Sequence, residues 1–120
     1  MQRLQRLRSA RDFRRVREGG RSWAHPLLVL GALPNRSAHT RCGFVVSKSQ
    51  GNAVERNRLK RRVREAVRLI YQHIVPGWDV VFVVRKRVAT APWPQVQQAI
   101  QTLLLQARLW HPLPTDTEKE

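Results

Sequence analysis

Seven basic side chains fall within fifteen residues of this sequence. The stretch VERNRLKRRVREAVR, residues 54–68, holds Arg56, Arg58, Lys60, Arg61, Arg62, Arg64 and Arg68. Guanidinium and ammonium groups at this density do one kind of chemistry: charge-assisted hydrogen bonding to oxyanions, phosphates above all. Like charges three or four residues apart on a helix repel by roughly a few tenths of a kcal/mol per pair. Only Glu55 and Glu65 oppose them, and both are read as intrahelical partners of nearby arginines. The remaining negative charge must come from outside the chain.

The groups that could move a proton or hold a metal are scattered. His25, His39, His73 and His111 show no ligand spacing, and Cys42 stands alone, which excludes a disulfide framework and a cysteine metal cage. Outside the last five residues the acids are Asp12, Glu18, Glu55, Glu65 and Asp79, with no pair spaced for acid–base or two-metal work. There is no glycine-rich phosphate loop. The residues describe a binder with no catalytic group, no metal and no cofactor of its own, and no small-molecule substrate.

The elements that must position the basic groups follow from periodicity. Leu59, Val63, Ala66, Val67 and Ile70 fill an arc of roughly 100° on a helical wheel, and Lys60, Arg64, Asn57, Arg68 and Arg61 follow one another along the next. Arg56 projects into the apolar arc, in the first turn, where it can pass a sheet edge. This predicts one amphipathic helix from about 53 to 74, capped by Asn52 and stopped by Pro76 and Gly77. Upstream, residues 1–8 read as basic and loose. Ser9 is placed to cap a short helix, ARDFRRVREGG, ended by Gly19 and Gly20. RSWA and LLVLGAL read as strands, PNRSAHT as a turn, and RCGFVVSK as a strand with Cys42, Phe44 and Val46 on one face. WDVVFVVRK is apolar on both faces, as a central strand is. A last helix begins at or near Pro92 and buries Val96, Ile100, Leu103, Leu104 and Ala107. The order is αβββαβα, an α+β sandwich of helices on one sheet. Residues 1–112 form one domain, and 113–120 an acidic, disordered tail.

Net charge is +15; residues 1–115 hold twenty-two basic and five acidic side chains, or +17. Such an excess on one small domain is the footprint of a nucleic-acid binder. No run approaches the roughly 18–20 apolar residues of a membrane span, and the N-terminus lacks the apolar core of a secretory signal. The expected setting is the cytoplasm, with no membrane partner.

GNAVERNRLKRRVREAVR, preceded by GFVVSKS, resembles the bacterial ribonuclease P protein component family. That family carries an Arg-Asn-Arg motif followed by Lys-Arg on its long helix, here Arg56-Asn57-Arg58 and Lys60-Arg61. The resemblance extends from residue 9 to about 109, through RDFRRVREGG, PLLVLGALPN, GFVVSK and WPQVQQAIQTLLLQ in order. It implies a mixed four-stranded sheet with a left-handed β-α-β crossover through the basic helix, a shape shared with a ribosomal small-subunit domain and a translocase domain. It also implies two RNA partners. One is the catalytic ribonuclease P RNA, which with Mg²⁺ in its own active site removes the 5′ leader of precursor tRNA; the protein alone has no activity. The other is that single-stranded leader, held between the first helix and the sheet. By position, Arg56, Asn57, Arg58, Lys60, Arg61 and Arg64, with Arg68 further along the same arc, face the catalytic RNA. Phe13, Ser47 and Lys48 match the leader cleft. Some members carry a second aromatic four residues after Phe13, where this chain has Arg17, and a strand aromatic where it has Gly31. The leader is therefore expected to stack less and to depend more on charge, with Arg17 contributing. A core role for Phe13 is the competing reading. The rival functions are a ribosomal or other structural RNA-binding protein, and a duplex-DNA binder, which lacks a helix-turn-helix pattern.

Overall fold

The computed structural model describes residues 5–112, so the expected acidic tail lies outside the described residues. Ser9 caps the first helix as its position predicts: its side-chain oxygen accepts from the Arg11 N–H, and α1 runs Ala10–Gly19. Gly20 N–H closes the helix on Val16 O at 2.9 Å. Strands β1 (Arg21–Ala24), β2 (Leu28–Pro34) and β3 (Arg41–Val45) precede α2 (Ala53–Ile70). Strand β4 (Trp78–Val84) and α3 (Trp93–Gln106) complete the αβββαβα order.

The sheet runs β1-β2-β4-β3. β4 pairs antiparallel with β2 and parallel with β3, so the sheet is mixed, and β4 is central as its two apolar faces predict. Alternation along the strands then sorts two cores. Leu28, Leu30, Cys42, Val80, Phe82 and Val84 face α2 and α3 and form the main core with Leu59, Val63, Val67, Val96, Ile100, Leu103 and Leu104. Phe44 stacks on Phe82 at 5.7 Å between ring centres. Val81, Val45 and Leu33 face the other way, where α1 covers them with Val16 and Phe13 and the N-terminal segment adds Leu7. One short helix cannot cover a four-stranded face, and Val83 stays 37% exposed beside it.

Three expectations need correction. Residues 5–8 are not loose: Leu7 N–H donates to Cys42 O at 2.9 Å, Arg6 bridges Cys42 in parallel, and Leu7 is buried against the smaller core. An apolar Leu7 and an edge strand with unpaired backbone groups explain the docking. The basic helix ends at Ile70, before Pro76, and a 3₁₀ turn, Tyr71–His73, follows. Tertiary bonds unwind that last turn: Tyr71 OH donates to Thr40 O, His73 stacks on Trp110, and Ile74 bridges Trp110. α3 begins beside Pro92, its cap residue, as expected, but Ala107 is its C-cap and only partly buried rather than part of the buried stripe.

Candidate nucleic-acid interfaces

α2 begins with a capping box. Asn52 Oδ1 accepts from Glu55 N–H, and Glu55 Oε1 accepts from Asn52 N–H, each at 2.9 Å. Glu55 is thus the cap partner, and among the described residues it forms no ion pair with an arginine, contrary to the intrahelical pairing expected of it. Glu65 does pair as expected: Arg68 Nε and Nη2 donate to its two oxygens at 3.0 and 2.6 Å. That bond raises the Arg68 pKa and holds Glu65 below the usual carboxylate range. Arg62 is also engaged, by the chain itself: its guanidinium donates to Val88 O and to Ala91 O, the latter at 2.6 Å.

Five cations of the stretch remain. Among the described residues, Arg56, Arg58, Lys60, Arg61 and Arg64 make no side-chain hydrogen bond or ion pair. The Nε atoms of Arg56 and Arg64 are buried without a partner, and a buried donor with no internal acceptor is one that an external oxyanion can satisfy. The helix divides its motif between two flanks. Arg64 lies beside Arg6 of the N-terminal segment, with Lys60 and Arg56 one and two turns before it; Asn57, Arg61 and Arg68 follow one another along the exposed crest; Arg58 and Arg61 line a groove with Arg62 and Trp93. Arg6 joins the first flank. Its pKa is lowered by burial and by the charges of Arg64 and Arg8. Arg6 and Arg8 had no periodic signal in the sequence; only Leu7 between them hints that the segment docks.

On the opposite face of the sheet, a cleft of about 580 Å³ opens between α1 and the uncovered strands. Phe13, Arg17 and Ser47 all line it. Lys48 does not; it is exposed in the 3₁₀ turn after β3, one residue beyond Ser47. Phe13 both packs in the smaller core and lines the cleft. Its ring rests so closely on the Gly43 backbone that a Cβ there would approach ring carbons to 2.6 Å, yet the ring is only partly buried and faces the cleft. The floor is Val16, Val29, Gly31, Val45, Val81 and Val83, with Arg17 and Arg21 at the rim. The aromatic-poor cleft is therefore largely aliphatic, with charge confined to its edge; this valine floor was not anticipated. Parallel pairing of Val45 with Val83 brings both strand ends together, so Lys86 stands beside the 3₁₀ turn Lys48–Gln50. Lys86 N–H donates to Gln50 Oε1 at 2.7 Å. Thirty-six residues of sequence separation hid that neighbourhood.

A buried carboxylate holds α1 over the sheet. Asp79 is fully buried and accepts from Arg41 Nε at 2.9 Å, Arg41 Nη2 at 2.7 Å and Asn35 Nδ2 at 2.9 Å. Arg41 also reaches Asp12 of α1 at 3.5 Å, and Arg15 lies 3.4 Å from Asp12 and 3.8 Å from Asp79. The Arg41 pKa is raised, first by its hydrogen bonds to Asp79. Among the described residues no group of histidine, cysteine or acid side chains could hold a metal ion, and burial raises the pKa of the Cys42 thiol, leaving it a core residue. No described helix is long and apolar enough to cross a membrane.

A family profile described as Ribonuclease P matches residues 1–108. A ribonuclease P protein component of Herpetosiphon aurantiacus is 67% identical over 111 residues, spanning 92% of this chain and 90% of that protein. The ribonuclease P protein of Staphylococcus aureus superposes with a TM-score of 0.78 at 30% identity, covering 89% of this chain and 98% of that one. That of Thermotoga maritima gives 0.74 at 33% identity over 82% and 94%. This chain belongs to the ribonuclease P protein family, the protein component of the ribonucleoprotein endoribonuclease that matures tRNA 5′ ends.

Proposed function

We propose that the two faces of the sheet serve two RNAs. The α2 face, with Arg56, Asn57, Arg58, Lys60, Arg61 and Arg64, lies against the catalytic RNA. The cleft between α1 and the open strands takes the single-stranded 5′ leader of precursor tRNA, with Phe13 and Arg17 in contact and Ser47 and Lys48 at its end. The observation that carries this reading is the set of five unpartnered cations on α2, two of them with buried, unsatisfied Nε atoms. Arg68, already held by Glu65, is a secondary contact. Unpaired nucleotides suit a cleft with an aromatic wall, an apolar floor and a basic rim. The chemistry belongs to the RNA and its Mg²⁺ ions; the protein's part is to screen phosphates and position the substrate. A cytoplasmic setting follows from work on tRNA precursors. The test is reconstitution with the cognate RNA and a precursor tRNA at low Mg²⁺. The protein should raise leader removal well above that of RNA alone; equal rates with and without it would refute the reading.

A further inference from the structure

Arg62 and Trp93 form a feature that the two RNA surfaces above do not use. The Arg62 guanidinium lies over the Trp93 ring, 5.7 Å from its centre. Its N–H groups donate to Val88 O and Ala91 O, which fixes the plane. Trp93 is packed on the main core from behind and only partly buried. The pair sits at the base of an open groove of about 460 Å³, lined by Arg58, Arg61, Arg62, Glu65 and Trp93. Glu65 is neutralised by Arg68. Arg58 and Arg61 are exposed and, among the described residues, have no partner.

The geometry points to a docking site for one unpaired nucleotide of the catalytic RNA, its base on the Arg62–Trp93 platform and its phosphate on Arg58 or Arg61. This rests on the reading that the α2 face binds that RNA. A guanidinium held in plane by two carbonyl acceptors presents its flat face, and bases stack on such planes as they do on aromatic rings. A base paired in a duplex cannot offer its face, so the target is a bulged or looped nucleotide. The groove volume lies in the usual range for small-ligand clefts, about 300–1,000 Å³. Arg58 thereby acquires a role distinct from Lys60 and Arg64, which lie on the other flank.

The experiment measures affinity of the full chain for the cognate ribonuclease P RNA across a salt series, with circular dichroism reporting that each variant is folded. Trp93→Leu should weaken binding by about 5- to 50-fold at every salt, with an unchanged slope, as the loss of a stacking contact does. Trp93→Phe should stay within about threefold of wild type. Arg62→Lys keeps the charge and can still reach the carbonyls but has no plane; it should lose about 5-fold or more, and it carries the test if Trp93→Leu does not fold. Chemical probing should show one unpaired nucleotide protected by wild type and exposed with Arg62→Lys. Equal affinity of wild type and Arg62→Lys overturns the platform, as does a protection that differs only in duplex backbone. Absence of any binding by wild type overturns both this inference and the function on which it rests.

Discussion

At the scale of single residues, the outcome turns on which charges are free. Arg61 and Arg68 share the crest of α2, but Arg68 is tied to Glu65 by two hydrogen bonds while Arg61 has none among the described residues. Arg61→Ala should therefore weaken binding to the catalytic RNA by about 1–2 kcal/mol, the worth of a charge-assisted hydrogen bond, and Arg68→Ala by less than half of that. Filter binding at one fixed salt checks the order; equal losses would show that Glu65 releases Arg68 to the RNA. Arg17 stands at the cleft rim without a partner among the described residues. If it meets the leader there, its attraction should be mainly to phosphate and therefore screened. Arg17→Phe should keep leader binding and flatten its salt dependence, and Arg17→Glu should lose it. Comparison of precursor tRNAs with long and one-nucleotide leaders across a salt series, at fixed Mg²⁺, reads this directly. An identical leader effect for all three proteins would remove Arg17 from the cleft. The RNR motif was legible in the sequence because it rides on a strongly periodic helix. The fates of individual charges were not: Arg62 is bound by carbonyls more than twenty residues away, and Glu55 turned inward to cap, which spacing alone does not distinguish from an ion pair.

At the scale of elements, α1 is the part most dependent on distant groups. Its apolar footprint is small, essentially Val16 and Phe13, and the rest of its attachment runs through Asp12 and Arg15 to Arg41 and Asp79. Removing one partner of a buried ion pair costs roughly 3–5 kcal/mol. Arg41 keeps some access to water, so Asp79→Asn should cost about 2–3 kcal/mol, read from urea unfolding. It should also weaken leader discrimination, because the cleft wall is α1, while affinity for the catalytic RNA stays near wild type. An unchanged urea midpoint would show that the network does not hold the helix. Sequence reading treated Asp79 as an isolated acid at the start of an apolar strand. Its partners, Asn35 and Arg41, come from the β2–β3 connection and from β3, the parallel neighbour of β4, so no local pattern announces them. The order and type of every helix and strand were nevertheless legible, since each has its own period and its own cap or breaker. The exceptions, the docked segment at Leu7 and the early end of α2, are both produced by contacts with the far end of the chain or with a sheet edge.

At the scale of the whole molecule, a four-stranded sheet with two helices on one face and a single short helix on the other leaves two surfaces with different chemistry. One is a helix surface with five cations that have no partner among the described residues, the other a concave, valine-floored cleft with a basic rim. The α2 face should show the salt dependence of multiple phosphate contacts. With at least four, log affinity for the catalytic RNA should fall against log salt with a slope of roughly −3 or steeper. The central claim is that these two surfaces act separately. It is tested most directly by the ratio of affinities for long-leader and one-nucleotide-leader precursor tRNA, measured in the reconstituted holoenzyme with wild type, Phe13→Leu and Lys60→Ala. Phe13→Leu keeps an apolar group on Gly43 but removes the ring; it should assemble with the RNA normally and lose about 5- to 10-fold of the leader's contribution. Lys60→Ala should require more protein for assembly and, once assembled, show the wild-type leader ratio. A wild-type ratio with Phe13→Leu, or a ratio equally diminished by Lys60→Ala, would contradict the division of the molecule into two RNA-binding faces.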